Sequence, residues 1–297
     1  ADSGDNVFTG TFDGNGCIIS NLTIDKTGTS SDSWQYGLFG MIGSSNANDC
    51  AKVMNLILTD VDIKVDMSGS GYLSLGALAG EVNHNAMIDN VAVVNGTING
   101  NPSNGSDVVG VGGLIGEMRY DVQSQGFGPG GWSGDTTAVN GVSISNVYVG
   151  ADVISGSSKD NNYTAGLIGR IAKSNPTSIK AAVVTGNSSF KGADGYGISG
   201  GDMTGNITNC YYLSGQSNTG TGVTADTLRS DTLLEGLDES VWRAKSGRMQ
   251  MLSMCVLSGG ASEILALADL AFDFADGDTA SNVTGDFSIP LTVTIGD

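Results

Sequence analysis

The sequence predicts an all-β protein, a parallel β-solenoid of about six coils with a small α/β cap near its C-terminal end. A Gly-Leu-x-Gly pattern at residues 37–40 returns four more times in degraded form. In phase with it runs a second element, apolar–any–Asn followed by alternating apolar residues. Both elements sit among Gly, Ser, Thr and β-branched residues. In-phase repetition predicts a repeat architecture, and alternation with period two predicts strands.

The Asn element predicts how successive units stack. Its Asn-type positions step by 34, 35, 56, 35 and 28 residues, with Ala181 at the weakened fifth unit. Asn tolerates left-handed backbone and stacked amides can bond to one another, so we expect one column of Asn at one bend. The Asn residues are Asn21, Asn55, Asn90, Asn146 and Asn209. The apolar residue after each position should face inward in one column: Leu22, Leu56, Val91, Val147, Ala182 and Cys210.

Each unit is expected to contain three short strands and three bends. In the second unit these are residues 75–82, 87–94 and 97–99. A single unit cannot close a core, whereas stacked units bury their inward side chains in continuous columns. Right-handed crossovers are the strong default for such parallel connections.

The composition and net charge of the chain argue against several classes of function. The chain has 297 residues, is 15% charged and has a net charge of −18. Such acidity argues against nucleic-acid binding and against adsorption to anionic membranes. No apolar run approaches the 18 residues of a membrane span. A polar surface of Ser, Thr, Asn and Gly is typical of a secreted, cell-surface β-protein.

One interval is about 20 residues longer than its counterpart, and the excess is roughly residues 118–141. Insertions in repeat proteins map to loops on one flank, and such loops often bind ligands. The candidate binding residues are Tyr120, Phe127 and Trp132, whose rings could stack on a sugar. The alternative is that these aromatic side chains pin the loop against the body.

The cysteines and one acidic cluster are the candidates for cross-links and metal. Cys17 and Cys50 precede their Asn positions by four and five residues, which makes a disulfide between adjacent coils one alternative. No cofactor is expected, although Asp273, Asp276 and Asp278 could supply oxygens to calcium. Their spacing lacks the Gly and terminal Glu of an EF-hand, so we expect turns there.

The repeats end near residue 213. Thr224 is a helix N-cap candidate, and the segment 214–252 is expected to cap the open end of the stack. The repeat domain with its cap would then cover residues 1–252. Residues 253–297 would form the beginning of a further domain or a linker strand, since 286–295 alternates cleanly.

The sequence offers only poor candidates for a catalytic site. Glu81 and Glu117 each follow the final Gly of a repeat, and Arg170 takes the equivalent place in the next unit. We expect them to stack as a surface ladder of charges, not as a glycosidase pair. The single histidine, His84, lies between two Asn residues, which predicts a solvated turn. We therefore expect no enzyme activity.

These motifs resemble the GLUG-motif repeats of bacterial cell-surface proteins over roughly residues 7–213. The matching segments are 12–19 (FDGNGCII), 21–24 (NLTI) and 37–40 (GLFG), although Cys17 stands where the family commonly has His. Residues 241–242 and 249–252 resemble the closure of such arrays without its Pro. Residues 279–291 resemble the start of a bacterial immunoglobulin-like domain. The family occurs in adhesin-like proteins and in non-catalytic regions of IgA-protease-type proteins, and offers no catalytic residues.

The resemblance implies a secreted, non-catalytic surface module for adhesion or display. The expected partners are a host or neighbouring-cell glycan or protein and further domains of the same polypeptide. One alternative is a fibre or surface-layer subunit that binds copies of itself by strand addition through residues 286–295. A polysaccharide-active β-helix enzyme is the second alternative. We favour a monomeric fragment of a longer surface protein.

Overall fold

The protein is all-β with parallel sheets. The computed structural model describes residues 7–29, 34–44, 48–69, 71–102, 109–118, 141–156, 162–171, 177–190, 193–200, 206–216 and 220–257. Within these residues almost every strand pair is parallel, and the antiparallel pairs are β20 with β21 and β25 with β26, as bounded below. The helices of the described part of the chain are two short segments between residues 225 and 257.

The strands are β1 (Val7–Phe8), β2 (Thr11–Asp13), β3 (Ile18–Ser20), β4 (Thr23–Thr29), β5 (Trp34–Tyr36), β6 (Phe39–Ile42), β7 (Ala51–Thr59), β8 (Val61–Ser68), β9 (Leu73–Leu75), β10 (Ala79–Val82), β11 (Ala86–Val93), β12 (Gly96–Pro102), β13 (Val109–Gly112), β14 (Ile115–Met118), β15 (Val142–Val149), β16 (Asp152–Ser155), β17 (Asn162–Ala165), β18 (Ile168–Ile171), β19 (Ser178–Val184), β20 (Ser188–Phe190), β21 (Ala193–Asp194), β22 (Ser199–Gly200), β23 (Asn206–Leu213), β24 (Thr221–Val223), β25 (Trp242–Lys245) and β26 (Arg248–Leu252). The helices are α1 (Ala225–Leu228) and α2 (Ser253–Leu257).

Four sheets collect strands from successive repeats in chain order. Sheet I has the order β1-β6-β10-β14-β18-β22, and sheet II has β2-β7-β11-β15-β19-β23-β24, with β3 also paired to β7. Sheet III has the order β4-β8-β12-β16-β20-β21, and sheet IV has β5-β9-β13-β17. Each repeat therefore adds one strand to each sheet beside the strand of the repeat before it.

The repeat unit contains four strands and not the predicted three. The expected strand 75–82 is divided between β9 in sheet IV and β10 in sheet I. Between them the Gly-Leu motif turns the chain, and Leu78 there is fully buried. Glycine is required at the close approach of these two sheets. A Cβ on Gly116 would lie 2.3 Å from the backbone nitrogen of Leu75.

Five of the six residues predicted for one inward column do stack. The parallel register places Val91 beside Leu56 and Val147, and Ala182 beside Val147 and Cys210. Each of these five side chains is at most 2% exposed. They belong to a continuous interior shared by all four sheets. The apolar alternation of the sequence therefore identifies the core correctly.

Leu22 is the exception, and a turn explains it. Residues Asn15 and Gly16 have φ of 50° and 73°, and the Cys17 amide donates to the Gly14 carbonyl over 2.8 Å. This turn divides the first strand of sheet II into β2 and β3 and adds two residues. The register of β4 then places Leu22 beside Val61 and not beside Leu56, because Thr23 pairs with Asp62.

The C-terminal segment, residues 220–257, does not simply cap the open end. Its first strand, β24, extends sheet II beyond β23. The remainder packs along the outer face of sheet II, where Trp242, Leu228 and Leu252 are fully buried. These side chains cover an outward apolar column that runs through five repeats. The column consists of Ile57, Ala92, Tyr148, Val183 and Tyr211.

Candidate functional site

A ladder of asparagine amides follows the bend in sheet II. The Asn90 amide donates to the Asn55 side-chain oxygen over 2.8 Å, and the Asn55 amide donates to Asp13 over 2.9 Å. The Asn146 amide donates to Asp89 over 3.0 Å. Every member of the column has positive φ, between 52° and 56°. The side chains satisfy one another while the backbone adopts the left-handed conformation that Asn tolerates.

Asn21 does not belong to this ladder. Its amide N–H donates to the Thr59 carbonyl, which places it beside Asp60 at the next bend. That bend has its own polar pairs, because the Asn95 side chain accepts from the Asp60 N–H over 2.7 Å and donates to its carboxylate over 2.9 Å. The same inserted turn that displaces Leu22 causes this change of column.

The ladder is interrupted at Ala181. This residue has φ of 56°, like its Asn neighbours, but no amide to continue the column. The flanking amides bond to the C-terminal segment instead. The Trp242 indole donates to the Asn146 side-chain oxygen over 3.3 Å, and the Asn209 amide donates to the Gly236 carbonyl over 3.3 Å. The missing amide therefore marks the place where the C-terminal segment is attached to the sheet.

A polar cleft opens at this interruption, with a volume of about 320 Å³. Strands β15 and β19 form one wall, and the loop before β25 forms the other. Hydroxyl, ammonium, carboxylate and amide groups alternate with small apolar surfaces around it. Its lining consists of Ser143, Ile144, Ser145, Asn146, Ser178, Lys180, Ala181, Gly236, Asp238 and Val241.

The register fixes the polar groups of the sheet wall. Ser143 pairs with Ser178, and Ser145 pairs with Lys180, so each pair lies on adjacent strands about 4.8 Å apart. The Ser145 hydroxyl donates its hydrogen to Asp89 over 2.6 Å and therefore cannot donate it to a ligand. Ser143, Ser178 and Lys180 are exposed and can bond to a ligand.

The opposite wall carries the carboxylate of Asp238. Its pKa is held below the usual range by hydrogen bonds from the backbone and side chain of Ser240, and to a smaller extent by the charge of Lys180. The Ser240 N–H lies 2.8 Å from the Asp238 oxygen. The carboxylate is thus an ionised acceptor that faces an ammonium donor across the cleft. This arrangement can orient a ligand whose groups both donate and accept.

The predicted binding loop and calcium candidates lie outside the described residues. Tyr120, Phe127 and Trp132 fall in the stretch 119–140, and Asp273, Asp276 and Asp278 fall in 258–297. Among the described residues, no three His, Cys, Asp or Glu side chains converge to hold a metal ion. Nor, within those same ranges, is any helix long and apolar enough to cross a bilayer.

The predicted Cys17–Cys50 disulfide is not formed. Cys17 lies beside Leu56, because Ile18 pairs with Ile57, whereas Cys50 directly precedes β7. Six residues of extended chain, about 20 Å, therefore separate the two positions, and a disulfide needs Cα atoms within about 7 Å. Both cysteines are exposed free thiols. The two residues inserted at this turn shift Cys17 along β7, so similar spacing from the Asn positions does not make the two cysteines neighbours.

The predicted charge ladder stacks as expected, but its two glutamates are buried and not superficial, and Arg170 is partly exposed. Glu81 pairs with Glu117, and Glu117 pairs with Arg170, in sheet I. Arg170 donates to Glu117 over 2.7 Å, and Ser74 of sheet IV donates to the second Glu117 oxygen over 3.2 Å. Gln35 donates to Glu81 over 3.4 Å. These groups form a polar layer between sheets I and IV.

The prediction of a solvated His84 is wrong. His84 is 5% exposed, and its neighbours Asn83 and Asn85 are also buried. The turn is held against the preceding repeat, because the Asn85 amide donates to the Ser44 carbonyl over 2.9 Å. The histidine therefore lies within the packing between repeats.

Comparison with known proteins gives two similarities. No protein-family model matches the chain. Over 121 residues, 41% of the chain, it is 32% identical to Halomucin of Haloquadratum walsbyi, and it spans 1% of that protein's length. A crystal structure of a candidate immunoglobulin A1 protease from Bacteroides ovatus aligns with a TM-score of 0.47 and 16% identity, over 82% of this chain and 77% of that one. A similarity at that TM-score carries no argument about fold or activity.

Proposed function

We propose that this chain is a non-catalytic module of an extracellular cell-surface protein that serves adhesion or display. The observation that carries the proposal is the stacking of one strand per repeat into four parallel sheets. Such an architecture grows by adding repeats and presents long, regular flanks for binding. The similarity to part of Halomucin supports a surface or secreted location.

We also propose how the four sheets are arranged around the interior. The four sheets are the faces of a right-handed parallel β-solenoid, with each repeat forming one coil of the GLUG type. Its support is the in-register stacking of the Gly-Leu turn and of the inward column from Leu56 to Cys210. The handedness follows from the preference of parallel crossovers.

Hydrogen bonding supports a non-catalytic role. Glu117 accepts from both Ser74 and Arg170, and Glu81 accepts from Gln35, so these carboxylates serve the contact between sheets. The cleft at Ala181 contains one carboxylate, Asp238, and glycoside hydrolysis normally requires two flanking the bond. The Ser74 hydroxyl does donate to the Glu117 carboxylate, but both side chains are buried, at 3% and 1% exposed, where a substrate could not reach them.

The test combines binding and chemistry on the same ligands. The full chain is applied to an oligosaccharide array and to intact host and bacterial cells, and bound glycans are then analysed for reducing-sugar release. We expect binding without release. Replacing Trp132 and Tyr120 with Ala tests the loop 118–141, since loss of binding at unchanged melting temperature identifies it as a binding surface. Release of sugar, or no binding to any glycan or cell, contradicts the proposal.

Self-assembly into a fibre is the alternative that one observation favours. Among the described strands, the outermost strand of each sheet has a neighbour on one side. Such edges can pair with another molecule. Residues 286–295, the proposed donor strand, lie outside the described residues. Electron microscopy of concentrated protein separates the two functions, because filaments indicate a fibre subunit and single particles indicate a monomeric module.

A further inference from the structure

The interruption of the amide ladder lies under the C-terminal segment, where Ala181 is 3% exposed and packs in the same apolar cluster as Trp242. Alanine is unfavourable at a φ of 56°, where the Cβ approaches the following carbonyl oxygen. Asparagine, which occupies four equivalent positions in this column, tolerates that conformation. An unfavourable backbone conformation retained at one place in a regular array points to a function there. The consequence of Ala181 is the open cleft beside it.

The cleft has the properties of a small-ligand site. Its volume of about 320 Å³ lies within the range of roughly 300–1,000 Å³ that is usual for such sites. One wall is built on paired strands, whose positions are fixed by sheet hydrogen bonds. The other wall is held by the bonds from Trp242 to Asn146 and from Asn209 to Gly236. A ligand would therefore meet preformed walls.

The lining selects a neutral, polyhydroxylated ligand. Lys180 offers donors, Asp238 offers acceptors, and the Ser143 and Ser178 hydroxyls can do either. Sugar hydroxyls need both kinds of partner, and Val241 supplies an apolar surface for the C–H face of a ring. A polyanion would meet the carboxylate of Asp238 and the repulsion of a chain with a net charge of −18.

We infer that the cleft between strands β15 and β19 and the loop 236–241 binds one end of a neutral oligosaccharide. The inference rests on the proposed adhesive function and locates it on the flank of the stack that sheet II forms. The ligand is recognised by hydrogen bonds to Lys180, Asp238 and the two serines. Ala181 keeps the space open.

The probe is an array of neutral gluco-, galacto-, manno- and N-acetylhexosamine oligosaccharides, with uronate- and sulfate-bearing ones beside them. The dissociation constant of each oligosaccharide that binds on the array is then measured in solution by titration calorimetry with the full chain. Lys180→Met removes the donor at an exposed position, and we expect at least about tenfold weaker binding. Ala181→Asn fills the cleft with an amide, and we expect binding to be lost.

Two controls separate binding from stability. Lys64→Met removes an exposed lysine on sheet III, where it pairs with Asp66 over 3.2 Å, and should leave binding unchanged. Asn90→Ala weakens the ladder in another repeat and should lower stability without affecting binding. Ala181→Asn should do the reverse, with binding lost in a protein at least as stable as the original.

Three results overturn the inference: no neutral oligosaccharide binds, only acidic ones bind, or neutral binding persists in both Lys180→Met and Ala181→Asn. If binding persists in those variants but is lost on replacing Trp132 with Ala, adhesion stands and the cleft is not its site. Release of sugar from a ligand that depends on Lys180 would place a site in the cleft and contradict the non-catalytic function.

Discussion

Replacing Ala181 with Asn should stabilise the protein. The parallel register aligns Ala181 with Asn146 and Asn209, and all three have φ between 52° and 56°. An Asn side chain there can donate to the Asn146 oxygen, as the Asn90 amide does to Asn55 over 2.8 Å. The substitution therefore repeats the amide–amide contact that Asn90 makes with Asn55.

Two contributions determine how much the substitution raises the free energy of unfolding. Removing Ala from the left-handed region recovers part of the roughly 1–2 kcal/mol that this conformation costs an ordinary L-residue. A new amide–amide hydrogen bond contributes about 0.5–1.5 kcal/mol, and ordering the side chain offsets some of it. We expect a net gain of about 1 kcal/mol, which corresponds to a rise in melting temperature of roughly 2–4 °C.

Urea denaturation followed by circular dichroism measures this difference, with Ala181→Gly as the matched variant. Glycine removes the unfavourable Cβ but adds entropy to the unfolded chain, so its free energy of unfolding should stay within about 0.5 kcal/mol of the original. Asn90→Ala, which creates a second interruption, should lose about 1–2 kcal/mol. A loss of more than about 1 kcal/mol in Ala181→Asn would contradict this prediction, because it would mean that the cleft cannot accept the amide.

Three further changes test the packing. Leu56→Asn should lower the free energy of unfolding by at least about 3 kcal/mol, because it buries an amide in the apolar column, whereas half-buried Met54→Asn should cost less than about 1 kcal/mol. Gly116→Ala should cost about 1–3 kcal/mol through overpacking, and Gly10→Ala, whose Cβ would have no neighbour nearer than 3.6 Å, should not. Burial raises the pKa of Tyr148 and of Cys255 to about 12 each, from 10.0 and 9.0. Their neutral forms therefore favour the folded state. Stability should be full below about pH 9 and fall as the pH rises towards about 12, and Cys255→Ala should reduce that fall in urea titrations. An unchanged pH profile for that variant would contradict the assignment.

The sequence predicts the core better than it predicts what surrounds it. Alternating apolar residues identify the column from Leu56 to Cys210, because inward positions must be apolar in every repeat. They do not place Leu22, since the effect of the two-residue turn at Asn15 and Gly16 on the register appears only when β2 and β3 are aligned separately against β7. Equal spacing from Asn failed for the cysteines for the same reason.

The sequence also contains a signal for the position of the C-terminal segment. In several repeats three consecutive apolar residues follow the Asn position, as in Leu56-Ile57-Leu58 and Val147-Tyr148-Val149. The middle residue of such a run faces away from the core, and an apolar residue there indicates a strand buried on both faces. The outward column at Ile57 and Tyr148 thus predicts a cover along sheet II.

The cleft could not be predicted in the same way. Its residues come from strands β15 and β19 and from a loop about 60 residues further along the chain, and only the packing of the C-terminal segment brings them together. Ala181 is a departure from the Asn pattern in the sequence, but its meaning depends on the φ of 56° and on the space beside it.

We propose that the chain binds oligosaccharides and does not cleave them. The most direct measurement is mass spectrometry of an oligosaccharide recovered after prolonged incubation with the full chain, taken together with its dissociation constant. We expect saturable binding that weakens in Lys180→Met, with the ligand recovered at its original mass. Shortened products that appear with the original protein and disappear with a cleft variant would contradict it and identify a polysaccharide-active enzyme.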